Sequence, residues 1–215
     1  MSVASGSVVS RSARIAELKM QPRGDCEASF FYDDHHFQYI AVKVLPGEYF
    51  VSAEDLLITT VLGSCVAACI WDSRTQSGGM NHFMLPDGGG DGLGRYGSYA
   101  MELLINALMK QGARREDLQA KIFGGAQVVA GFTTMNVGER NTRFVLDYLA
   151  AERIPVISQD VLDVHPRRVC FFPVSGRALV KRLASVGPDT LAAEERRLRE
   201  ANASTLIRGG SVDLF

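Results

Sequence analysis

The order of elements legible along the chain predicts an α/β fold of the α+β kind: a single domain of mainly antiparallel β-sheets packed with flanking helices. Strand-like segments crowd both ends, and helix, strand and helix alternate in the middle. Short polar turns join neighbouring strands, so pairing between sequence neighbours is favoured over a doubly wound parallel sheet. Size agrees, because 215 residues, 47% of them hydrophobic, suffice for one substantial core.

Residues 1–27, rich in serine and arginine, read as a flexible tail, and the folded domain is expected at 28–185. FQYIAVKV and EYFVSA, separated by Leu45-Pro46-Gly47, read as two strands about a turn. LLITTVLGSCVAACIWD is dense in β-branched residues and is followed by the polar turn SRTQSGG and a second run, MNHFMLP, which together make a hairpin. Beyond the glycine-rich DGGGDGLGRYG, SYAMELLINALMKQG places Met101, Leu104, Ile105, Leu108 and Met109 at helical spacing, with Gly112 as the stop. KIFGGA reads as a short strand, and ERNTRFVLDYLAAERI as an amphipathic helix ended by Pro155. PVISQDV, RRVCFFPV and RALVKRL read as closing strands. Residues 186–215 form a C-terminal extension, whose charged run LAAEERRLREA carries only the thin apolar stripe of Leu191 and Leu198 and reads as a solvated helix.

Charge narrows the partners. With 23 basic and 24 acidic residues the formal net charge is -1, so no long-range field favours nucleic acid or an anionic membrane. VAACIW, the longest apolar run, is stopped by Asp72 far short of the roughly 20 residues a membrane span needs, and no apolar export segment opens the chain. Cys26, Cys65, Cys69 and Cys170 are scattered without a CxxC pair, which suggests reduced thiols in a cytoplasmic protein.

Chemistry concentrates on Cys65 and His82. A thiol needs a neighbouring base or a positive environment to become a thiolate at neutral pH, and histidine is the usual base. A hairpin register centred between Ser73 and Arg74 would set Cys65 directly opposite His82, on one face of the sheet and about 5 Å apart at Cβ; a slip of one residue would separate them. Gly63, just before Ser64-Cys65, permits a sharp turn that could aim amide N–H groups at an oxyanion. The competing reading is an inert core thiol, since VAACIW is an apolar setting and free cysteines are often buried. Cys26, Cys69 and Cys170 are assigned to that inert class. His35 and His36 point to opposite faces of a strand without further ligands nearby, and no metal or cofactor is implied. Gly92-Leu-Gly94-Arg-Tyr-Gly97 satisfies GxGxxG, but Pro86 and DGGGD separate it from any preceding strand, and a flexible loop beside the site is the better reading than a nucleotide cradle.

TTVLGSCVAACIWD followed by GGMNHFMLP, with a spacing of seventeen between Cys65 and His82, resembles the chemoreceptor glutamine deamidases of the CheD family. RYGSYAMELLINALMKQGA, KIFGGA and GERN extend the resemblance over roughly residues 40–185. It implies a hydrolase, a protein-glutamine glutaminase, that converts glutamines of methyl-accepting chemotaxis receptors to glutamates through a cysteine thioester, with Cys65 as nucleophile and His82 as base. Thr59, six positions before the cysteine, takes the family's third place, although the adjacent Thr60 offers the same hydroxyl. Oxyanion donors would be the Cys65 N–H and the Asn81 side chain. The alternative reading is a chemotaxis adaptor acting mainly by docking a CheC-type response-regulator phosphatase, a partner the resemblance also implies; a different cysteine amidase or protein cross-linking enzyme would share the same dyad. Two departures mark this chain: VLDVHPRR stands where a glycine-rich stretch is expected, and the C-terminal extension lies outside the core.

Overall fold

The strand segments assemble into two five-stranded sheets in the computed structural model, which describes residues 10–85, 92–127 and 137–183. The first sheet runs, in spatial order, β1 (Phe30–Asp34), β2 (Tyr39–Lys43), β4 (Leu57–Leu62), β9 (Arg167–Phe172) and β10 (Arg177–Arg182). The second runs β3 (Tyr49–Ser52), β6 (Ser77–Asn81), β5 (Val66–Asp72), β7 (Leu118–Gly124) and β8 (Val156–Val161). Among the described residues only β2–β4 and β7–β8 pair in parallel, and the other strand pairs are antiparallel, as the α+β expectation requires.

Alternation along the strands divides the interior into layers. Phe31, Val42, Ile58, Leu62, Val169 and Phe171 of the first sheet meet Phe50, Ala67, Cys69, Met80 and Phe123 of the second. The opposite face of the second sheet, with Val66, Ala68, Ile70 and Ile122, packs against α2 (Gly92–Lys110) and α3 (Val137–Ala151) through Met101, Leu104, Leu108, Val145 and Leu149. Burying each such side chain contributes roughly 1.5–3 kcal/mol, so the two layers carry most of the favourable free energy. Gly97 makes the helix contact possible: a Cβ there would run into the Phe144 ring and Leu85.

Several expectations change. The N-terminal tail contains α1 (Arg11–Met20), capped by Ser10, whose hydroxyl oxygen accepts the Ala13 N–H at 3.2 Å. Its apolar side is only Ile15 and Leu18, too narrow a stripe to stand out, yet Leu18 is buried against the inter-sheet core. Met109, though in helical spacing, is 41% exposed, while Met101, Leu104, Ile105 and Leu108 are buried and Gly112 ends the helix region at φ +92. The strands flanking Pro46-Gly47 belong to different sheets. The GxGxxG stretch forms the opening turns of α2 and is no strand-to-helix loop. DGGGD and LAAEERRLREA lie outside the described residues. No described helix is long and apolar enough to cross a membrane.

Candidate active site

The β5–β6 hairpin carries both candidate groups, in a register different from the expected one. Asp72 Oδ1 accepts the Arg74 and Thr75 N–H groups, and Gln76 takes a left-handed φ of +49, so the turn spans Ser73 to Gln76. Asp72 then opposes Ser77, Cys69 opposes Met80 and Val66 opposes Phe83. Cys65 therefore faces Met84 and lies diagonal to His82. The displacement is two residues, an even number, so both side chains remain on one face, and diagonal neighbours sit about 7–8 Å apart along the backbone. That face is the inter-sheet core, where Cys65 and His82 are each 4% exposed.

His82 is held from the first sheet. Thr60 Oγ1 donates to the Val44 carbonyl at 2.8 Å and lies 2.9 Å from His82 Nδ1, which itself is 3.4 Å from the same carbonyl. With the only hydroxyl proton on the Val44 oxygen, Thr60 accepts from Nδ1–H, and this places the imidazole proton on Nδ1. Nε2 is left as a bare lone pair, buried and without a hydrogen-bond partner. Burial drives the His82 pKa down from 6.5 to about 4; the Val44 carbonyl opposes this and the Lys43 charge adds to it. At neutral pH the ring is neutral, in the tautomer that can take a proton at Nε2.

Thr60, not Thr59, therefore meets the imidazole. Thr59 and Thr60 are both buried, but Thr60 shares the inner face with Ile58 and Leu62, and period-2 alternation sends Thr59 to the outer face with Leu57 and the exposed Val61. Thr59 Oγ1 instead lies 3.0 Å from Tyr32 Oη, in a groove of about 320 Å³ lined by Phe30, Lys43 and Arg168. Asn81 is corrected for the same reason: adjacent to His82, it faces the helices. Its Oδ1 accepts the Ala68 N–H at 2.9 Å and its Nδ2 donates to Ala100 O at 3.1 Å and approaches Met101 Sδ at 3.3 Å, so its amide is committed away from Cys65.

The Gly63-Ser64-Cys65 turn is shaped from across the sheet. Gly125 N–H donates to Cys65 O at 2.7 Å and Ala126 N–H to Gly63 O at 2.9 Å. The left-handed glycines are Gly124 (φ +107) and Gly125 (φ +68), at the end of β7; a Cβ on Gly124 would strike the Cys65 carbonyl oxygen. Sequence reasoning missed Asn141 of α3, whose Nδ2 donates to Ser64 O at 2.9 Å while its Oδ1 accepts the Leu85 N–H at 3.0 Å. The available signal was a polar residue on the apolar stripe that continues through Val145 and Leu149. Tyr96 of α2 borders the site: its hydroxyl pKa is raised by burial first and then by the nearby Cys26 and Cys65. Cys69 is fully buried and burial pushes its thiol far up, which suits the inert role assigned to it.

The sequence profile of the family described as CheD chemotactic sensory transduction matches residues 84–182. A protein of Albidiferax ferrireducens named "Probable chemoreceptor glutamine deamidase CheD 1" is 73% identical over 204 residues, covering 94% of this chain and 87% of the relative. Proteins named "Probable chemoreceptor glutamine deamidase CheD" from Thiobacillus denitrificans and Janthinobacterium sp. are 55% and 51% identical, each covering 87% of this chain and 96% and 95% of their own lengths. The chain belongs to the CheD family of glutamine deamidases.

Proposed function

We propose that this protein hydrolyses the side-chain amide of selected glutamines in chemotaxis receptors, using Cys65 as nucleophile and His82 as proton shuttle. The observation that carries the reading is the buried, unpartnered Nε2 of His82 on the same sheet face as Cys65, in a member of a glutamine deamidase family. His82 Nε2 takes the thiol proton and the thiolate adds to the carboxamide carbon, forming a C–S bond and a tetrahedral oxyanion. The Cys65 N–H, in the turn fixed by Gly125 and Ala126, is the donor proposed for that oxyanion. Collapse breaks the C–N bond, His82 returns its proton to the departing nitrogen, and ammonia leaves a thioester. His82 next takes a proton from water as the hydroxide adds to the thioester carbon; collapse breaks the C–S bond, releases glutamate, and His82 returns the proton to the departing thiolate, which restores the thiol. Thr60 keeps the imidazole in the required tautomer. Because it adds no negative charge beside the ring, imidazolium is stabilised less than it would be by a carboxylate, in keeping with the low His82 pKa.

Acid-quenched mixtures of the protein with a glutamine-containing receptor peptide test the intermediate. Intact-mass spectrometry should find an adduct on Cys65 equal to the peptide minus ammonia; glutamate formation with no such adduct at any time point would sink the thioester step. A CheC-type phosphatase partner and a cytoplasmic location belong to the same reading and rest on the family resemblance. If adaptor binding were the whole function, Cys65→Ala would leave it intact.

A further inference from the structure

The backbone ladder beside the candidate dyad is interrupted on both sides by asparagine carboxamides. Val66 and Phe83 exchange reciprocal N–H···O bonds at 3.0 Å, so in the same antiparallel register the next bonded pairs would be Ala68 with Asn81 and Ser64 with Leu85. In each of these rungs one N–H is diverted to an asparagine carboxamide. Ala68 N–H goes to the Asn81 side-chain oxygen. Between Ser64 O and Leu85 N–H stands the carboxamide of Asn141, donating to the first and accepting from the second like an inserted peptide unit. Asn141 is fully buried, and its two bonds fall on the residue before Cys65 and on the strand extension three residues after His82.

We propose that Asn141 is a positioning residue: its carboxamide stands in for the Leu85 N–H to Ser64 O bond, holds the two strands one amide width apart, and so sets how closely the Cys65 thiol can approach His82 Nε2. A direct rung would draw the strands together where Cys65 faces Met84. Leaving both groups unbridged would let Cys65 drift, and misplacements of the order of 1 Å cost about 100-fold in rate. The inference rests on the cysteine–histidine reading above, and the experiment separates the two.

Asn141→Leu keeps the branched shape and heavy-atom count, with somewhat larger bulk, and removes both bonds; Asn141→Asp keeps the acceptor for Leu85 N–H but sets a carboxylate against Ser64 O. In folded variants the expected result is a kcat lower by about 10- to 100-fold with KM for a receptor peptide unchanged. Iodoacetamide alkylation of Cys65, followed at that residue by peptide mass spectrometry across pH, supplies a readout that needs no substrate. The variants' alkylation profile should move toward that of His82→Ala. A folded Asn141→Leu with wild-type kcat and wild-type profile overturns the proposal. So does failure of both variants to fold, which would make Asn141 a core residue only. If His82→Ala itself leaves the profile unchanged, the dyad fails and the positioning role falls with it; if His82→Ala shifts the profile and both Asn141 variants do not, only the positioning role fails.

Discussion

Replacing Thr60 with valine removes one hydroxyl and almost no volume, so it isolates the contact that orients His82. The hydroxyl accepts Nδ1–H at 2.9 Å and donates to Val44 O at 2.8 Å; without it, Nδ1–H keeps only the long 3.4 Å approach to that carbonyl. Leaving a buried donor poorly bonded costs about 1–3 kcal/mol. Were that loss expressed wholly in the transition state, kcat/KM would fall about 5- to 150-fold, at 1.36 kcal/mol per tenfold. Thr59→Val is the matched control, since it deletes the Tyr32 contact on the outer face and should leave turnover as in the wild type. Ammonia release from a receptor peptide, with thermal melts on each variant, measures both. Equal losses in the two valine variants, or wild-type turnover in Thr60→Val, would refute the assignment of Thr60 and with it the argument for the Nδ1–H tautomer.

Other outcomes follow from the same geometry. His82 binds its proton less tightly folded, at about 4, than unfolded, at 6.5, so its contribution to stability is complete above pH 6.5 and is lost as pH falls toward 4. Urea unfolding at the two ends of that window should show His82→Gln losing about 3 kcal/mol less than the wild type. Gly124→Ala places a Cβ against the Cys65 carbonyl oxygen in a left-handed conformation. It should lower both stability and kcat, the former by about 1–3 kcal/mol in a thermal or urea melt. Arg167 is fully buried, pairs with Asp160 at 2.7 Å and donates to Leu162 O at 2.6 Å and His165 O at 3.2 Å. Arg167→Ala takes the donor from both carbonyls and leaves Asp160 only the longer contact with Arg182 at 3.6 Å, and should cost about 3–5 kcal/mol by urea unfolding.

Periodicity made the strands, the two longer helices and their core faces readable, because β-branched runs and i, i+3, i+4 spacing act locally. What it could not supply was the choice between two adjacent residues of one strand, both of them buried. Thr59 and Thr60 have identical chemistry, and only the packing of Ile58 and Leu62 into the inter-sheet core settles which hydroxyl meets the imidazole. Cys65 and His82 share a sheet face in the expected register and in the observed one because the two differ by an even number: moving the hairpin by two residues changes partners but not faces. Asn81 fell on the wrong side of the same alternation. Asn141 and Gly124 act across more than fifty residues of sequence, through contacts that no local pattern announces.

Conversion of receptor glutamine to glutamate by Cys65 is tested most directly by comparing the wild type with Cys65→Ala on receptor cytoplasmic fragments. Peptide mass spectrometry should find Gln-to-Glu conversion with matching ammonia release in the wild type and neither in the variant. Equal conversion by both proteins, or an amine cross-linked to the glutamine in place of glutamate, would contradict the account.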